Sequence, residues 1–91
     1  MADKGAVKLL ERLRRSKANC TRHDLESLYL GYGFRIRIGS KHDIAIHKKY
    51  EHLRGTLPNH TPFAIGYVTC AINLVDEVLR LEKQGGLNNG E

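Results

Sequence analysis

Between Phe34 and Leu57 the chain alternates between apolar and polar positions. Phe34, Ile36 and Ile38 are separated by Arg35 and Arg37; the alternation resumes at Ile44 and Ile46, and Leu53, Gly55 and Leu57 are separated by Arg54 and Thr56. A period of two marks strands with one buried face. The short polar stretches Gly39-Ser40-Lys41 and Lys48-Lys49-Tyr50-Glu51 read as reversals, so three antiparallel strands are expected, the last ending at Pro58. On this reading the isoleucines and leucines mark the buried face, and Arg35, Arg37, Ala45, His47, Arg54 and Thr56 share the other.

Helical spacing flanks the strands. Ala6, Leu9, Leu10 and Leu13 recur at intervals of three and four with Lys8, Arg12 and Arg15 opposite, which predicts an amphipathic helix over about residues 4–17, stopped by Asn19. Thr21 followed by Asp24 is a helix-start signal, because the hydroxyl caps a free amide and the carboxylate sits at the positive end of the helix dipole. Leu25, Leu28, Tyr29 and Tyr32 then form the buried stripe of a second helix. Gly31-x-Gly33 follows a helix and lacks a subsequent Lys-Ser/Thr, so it reads as a helix end and not as a phosphate loop. Pro62 can open a third helix, whose stripe of Val68, Ala71, Ile72, Val75, Val78 and Leu79 reaches about Leu81 and includes Cys70 among the expected core residues. Gly85 to Gly90 is expected to end it in a flexible tail. The order is helix, helix, strand, strand, strand, helix. This is an α+β two-layer sandwich: one domain over residues 1–84 with its first helix as an addition, a tail at 85–91, helices on one face of the sheet and arginines on the other.

Ninety-one residues suffice for one small domain with a modest core. No apolar run approaches the roughly 20 residues of a membrane span, and the N-terminus lacks the layout of a secretory signal, so a cytoplasmic protein is expected. Cys20 and Cys70 form no C-x-x-C pair and read as ordinary thiols. The net charge of +5 is unevenly placed: +5 over residues 1–22, −2 over 23–34, +4 over 35–60 and −2 over 61–91. Basic charge on the first helix and the strands suits a polyanion or an acidic protein partner. Arg12, Arg14, Arg15 and Lys17 fit equally a phosphate backbone and the negative end of their own helix.

The capped helix ending Tyr32-Gly33-Phe34, the turn Gly39-Ser40-x-His42, the strand residue His47, the run into Leu57-Pro58 and the final helix with Gly66-Tyr67-Val68 together resemble the HicA toxins of prokaryotic toxin-antitoxin systems, over roughly residues 21–82. The resemblance implies a fold like the double-stranded-RNA-binding domain, cleavage of messenger RNA without a metal or other cofactor, and neutralisation by a HicB antitoxin, here expected to be acidic. The chain departs from the pattern at two points. Gly39-Ser40-Lys41-His42 stands where the family has Gly-Ser-His, and Lys48 stands where a proline commonly follows the later histidine.

Metal-free RNA cleavage needs a base for the 2′-hydroxyl, a cation for the phosphorane and an acid for the leaving oxygen. An imidazole serves either proton-transfer role near neutral pH, which makes His42 the candidate catalytic residue. His47 and Lys41 are its candidate partners, with Arg35, Arg37, Ser40, Lys41 and Arg54 as candidate RNA-binding residues. The plain alternatives are a solvent-exposed turn histidine at 42 and a surface strand histidine at 47. His42, His47 and His52 recur every five residues, but successive members fall on opposite strand faces with no thiolate or carboxylate to complete a set, so no metal is expected. Two functions therefore compete: a toxin ribonuclease, and a non-catalytic RNA-binding module on the same fold. A basic domain that only docks an acidic protein is a third.

Overall fold

The computed structural model describes residues 4–59 and 64–89, with side chains as far as Gln84. Its elements follow the expected order: α1 (Lys4–Arg15), α2 (Arg22–Gly31), β1 (Phe34–Arg37), β2 (Asp43–His47), β3 (Arg54–Leu57) and α3 (Ile65–Asn89). The sheet is antiparallel with β2 central. Helices α2 and α3 cover one of its faces, and α1 packs on these two helices and not on the sheet. No helix of the described residues is long and apolar enough to cross a membrane.

Local sequence accounts for the helix boundaries. In α1, Ala6, Leu10 and Leu13 are buried, and Asn19 takes the left-handed conformation (φ 63°) that turns the chain toward α2. The capping box forms as read: Thr21 Oγ1 accepts from the Asp24 amide at 3.0 Å, and Asp24 Oδ2 accepts from the Thr21 amide at 3.1 Å. Arg12 reaches the same carboxylate at 2.8 Å, and Arg14 pairs with Asp76, so two of the four basic residues near the end of α1 clamp it to α2 and α3. Leu25, Leu28, Tyr29 and Tyr32 are buried, as are Val68, Ala71, Ile72, Val75 and Val78.

Three expectations for α3 are corrected. Leu79 and Cys70 are exposed; Cys70 lies two residues from Val68 and from Ile72, about 200° around a helix and away from the buried stripe. The helix also continues past Leu81 through Gly85 and Gly86 to Asn89. Extending a formed helix costs about 1 kcal/mol per glycine, much less than nucleating one. Pro62 and His60 lie outside the described residues.

The sheet carries the main correction. Residues directly opposite on antiparallel strands face the same way. Phe34 is opposite His47, and Ile36 is opposite Ala45, which is in turn opposite Gly55; Asp43 is opposite Leu57. This set faces the helices. The other face consists of two rows: Arg37, Ile44 and Thr56 near the β1–β2 turn, then Arg35, Ile46 and Arg54. Ile44 and Ile46 therefore lie among the arginines, and Ala45 and His47 lie on the covered side, the reverse of the expected facing in β2. Ile38, also expected inside, is 83% exposed. Leu53 and Leu57 join the core as read, beside Phe34 and Ala45.

The inverted facing has a physical basis in what each inward residue finds. Asp43 meets Arg22, Ala45 is small enough for close helix packing, and His47 meets backbone groups at both ring nitrogens. Outside, Ile46 is only 3% exposed although it is not in the core cluster. The register sets the exposed Arg35 and Arg54 on either side of it, where the aliphatic stems of such long side chains can cover an apolar neighbour.

Candidate functional site: the β1–β2 turn and the open sheet face

The turn from Gly39 to His42 is fixed by side chains from outside it. The Gly39 amide donates to Asp43 Oδ1 at 3.2 Å, and Asn59 Nδ2 donates to the Lys41 carbonyl at 3.0 Å. Arg22, the first residue of α2, joins the two tethers: one terminal nitrogen donates to Asp43 Oδ2 at 2.5 Å, the other to Asn59 Oδ1 at 2.5 Å and the Pro58 carbonyl at 3.0 Å. Its Nε lies 3.2 Å from the Glu26 carboxylate but is not aligned for a hydrogen bond. Gly39 is required by close approach, since a Cβ there would collide with the His42 carbonyl oxygen. Asp43 is 8% exposed, and the Arg22 guanidinium holds its carboxyl below the usual carboxylate range.

Side chains at the turn point the other way. Ser40, Lys41 and His42 are exposed. None of the three has a side-chain hydrogen bond or ion pair among the described residues. The backbone is held while the chemistry-bearing groups are free. Close by, the open face presents Arg37 in its first row and Arg35 and Arg54 in its second, all exposed. Arg54 Nε donates to the Glu51 carbonyl at 3.1 Å. Among the described residues no acid pairs with Arg35, Arg37, Lys41 or Arg54, whereas Arg12, Arg14, Arg22, Lys49 and Arg80 are all neutralised by carboxylates. Among the described residues Lys8, Arg15, Lys17 and Lys48 are also unpaired; the cations named above divide into an ion-paired group, most of which joins elements, and a second, uncompensated group at the turn and on the open face. All the basic candidates fall in the second group.

His47 is separated from this group. It is 4% exposed and faces the helices. Its Nε2 lies 3.1 Å from the Tyr32 carbonyl, while Nδ1 accepts from the Lys49 and Tyr50 amides, each at 3.0 Å. Because Nδ1 accepts, the neutral ring carries its proton on Nε2, which donates to Tyr32. The ring packs edge-on against Phe34 and tilted against Tyr50. Burial lowers its pKa, opposed by the Tyr32 carbonyl and the Glu82 charge. Its placement on the cationic face is corrected: His47 closes the β2–β3 connection against the end of α2. It lines a groove of about 590 Å³ between α2 and α3 together with Leu30, Leu79 and Lys49, away from the turn.

Three residues of the site were missed by the sequence reading: Arg22, Asp43 and Asn59. The only sequence signal is Asp43 at the start of an apolar strand, and its ion-pair partner Arg22 is 21 residues away. Against known proteins, no family model matches the chain, and neither a curated protein nor a solved structure is similar to it at a significant level.

Proposed function

We propose that the chain is an RNA-cleaving toxin of the HicA type, a metal-independent endoribonuclease in which His42 performs acid/base work. The observation that carries the reading is the His42 imidazole, without a partner among the described residues, beside Ser40 and Lys41 on a tethered turn next to a cationic face. RNA phosphates would lie across Arg37, Arg35 and Arg54, with Lys41 at the scissile phosphate. His42 would take the 2′-hydroxyl proton or protonate the 5′-leaving oxygen. The open face has isoleucines where base-stacking aromatics would be, so it offers charge more than base recognition. The same surface, with Ile38 and Ile44 exposed among cations, is where an acidic HicB-like antitoxin would dock.

A second reading draws on one specific observation. His47 has both nitrogens engaged on the covered side, leaving, among the described candidates, one imidazole at the site where two would make an acid/base pair. RNA binding without cleavage is the function that remains if one is insufficient.

The test is induced expression of the parent and of His42→Ala, followed by incubation of the purified proteins with labelled RNA in a chelator. Loss of the acid/base group is expected to lower the rate about 10²- to 10⁴-fold and to abolish growth arrest. RNA affinity should stay near the parent value, while Arg35→Ala, Arg37→Ala and Arg54→Ala each weaken it and reduce the salt slope by about one unit at most. Cleavage that needs a divalent metal, or arrest that persists in His42→Ala, refutes the mechanism. A parent that binds RNA without cutting it favours the binding-module reading.

A further inference from the structure

We propose that Arg22, Asp43 and Asn59 are positioning residues for the Gly39–His42 turn, and that in RNA cleavage they set the rate of the chemical step and not the affinity for RNA. The second clause rests on the cleavage reading above; the first stands on the tethers alone.

The β1–β2 connection spans five residues, Ile38 to His42. A two-residue hairpin turn would join the strands with no outside help. Here the loop is longer and is held by groups from three places: Arg22 at the start of α2, Asp43 at the start of β2, and Asn59 after β3. The contacts fall on both sides of the apex, on the Gly39 amide and the Lys41 carbonyl, and Arg22 couples them through Asp43 Oδ2 and Asn59 Oδ1. A partly buried ion pair is weak evidence for net stability after desolvation, and fixing one geometry is a known use of such pairs. Ser40, Lys41 and His42, whose backbone is being fixed, spend no side-chain group on the tethering. A misplacement of about 1 Å at a reacting group can cost roughly 10²-fold in rate.

Asn59→Ala is the informative variant, because Asn59 is exposed and its removal frees the Lys41 carbonyl with little effect on folding. Asp43→Asn is the second: it keeps an acceptor for the Gly39 amide and removes the charge facing Arg22. Three quantities are measured on the folded proteins: ¹⁵N relaxation of the Ser40, Lys41 and His42 amides, kcat and KM on labelled RNA, and RNA affinity. In Asn59→Ala the three amides should gain fast motion, kcat should fall about 10- to 100-fold, and RNA affinity should change less than about twofold. Unchanged amide motion, or unchanged kcat in a cleaving protein, overturns the proposal. A fall in affinity that matches the loss of kcat/KM also overturns it, since the network would then shape binding. If the parent cuts no RNA, the cleavage reading falls, and the relaxation measurement still decides whether the network orders the turn.

Discussion

Acidifying the protein through the titration of His47 should unlatch the β2–β3 connection. In the folded chain, Nδ1 is an acceptor for two amide hydrogens, those of Lys49 and Tyr50, and Nε2 donates to the Tyr32 carbonyl. Protonation places a hydrogen on Nδ1 facing two N–H groups, turning both contacts repulsive. Burial lowers the pKa, and so does the Lys49 charge; the Tyr32 carbonyl and Glu82 oppose them without reversing the direction. The folded pKa is therefore below the ordinary value of 6.5, and between the two the unfolded chain binds more protons. Stability is fully present above 6.5 and is lost as pH falls toward the folded pKa, by at most about 1.4 kcal/mol per pH unit. The carboxylates held low, Asp24 chiefly by the Thr21 amide and Asp43, Glu77 and Glu82 by cations, keep their contribution across this range and lose it only at more acidic pH.

The perturbation that isolates this effect is His47→Asn, whose side-chain oxygen can still accept from the amides but which no longer reaches Tyr32. Losing one hydrogen bond and part of the ring packing should cost about 1–2 kcal/mol. His47→Ala removes all three bonds together with the contacts to Phe34 and Tyr50, for about 3–5 kcal/mol. At about 4–8 °C per kcal/mol for a domain of this size, the melting temperature should fall roughly 4–16 °C in the first case and at least 12 °C in the second. Urea melts of parent and His47→Asn at half-unit steps from pH 7.5 to 5 provide the measurement. The parent should lose stability below about pH 6.5, and the asparagine variant should lose less. A parent whose stability is level across that range, or an identical slope in the variant, refutes the tautomer and burial argument.

Two other predictions follow from single side chains. The Tyr29 hydroxyl is buried with no hydrogen-bond partner among the described residues, so Tyr29→Phe should be neutral or stabilising by up to about 1 kcal/mol in a denaturant melt; a loss of that size would reveal a partner for the hydroxyl. Cys70 is exposed, while burial and the nearby Asp24 push the half-buried Cys20 thiol up to about 11. Iodoacetamide at pH 8 should therefore modify Cys70 first and Cys20 about 10²-fold more slowly, and equal rates would contradict the packing around Cys20.

The helices were legible because each repeats its signal. The α1 stripe of Ala6, Leu10 and Leu13 and the Thr21–Asp24 box need nothing beyond their own turn of helix. Cys70 was misjudged although the same spacing excluded it, since the stripe through Val68, Ala71, Ile72 and Val75 passes it by. The existence and order of the strands were also legible, but the facing of β2 was not. Its inward residues are Asp43, Ala45 and His47, two of which are polar by type and buried only because of partners elsewhere: Arg22 at the start of α2, and the Tyr32 carbonyl at its end. Its outward isoleucines pass for core until the register sets arginines on either side of Ile46. A one-residue change in facing moves every side chain of a strand, so a partner 21 residues away decides the whole set.

That inversion gives the two histidines of the hairpin opposite work. His47 is inside, and its three backbone contacts require one neutral tautomer; any proton it gained or lost during a reaction would break the connection it closes. His42 is outside, without a side-chain partner among the described residues, on a turn whose backbone is held at Gly39 and Lys41. A group that transfers protons must be free to change charge without disturbing its own support. Of the two, only His42 meets that condition. The separation also leaves the ordering of the turn to Asp43, whose carboxyl the Arg22 guanidinium holds below the usual range, and to Arg22 and Asn59. On the cleavage reading proposed above, the tethers at Gly39 and Lys41 would hold the turn in place while the imidazole it carries transfers a proton.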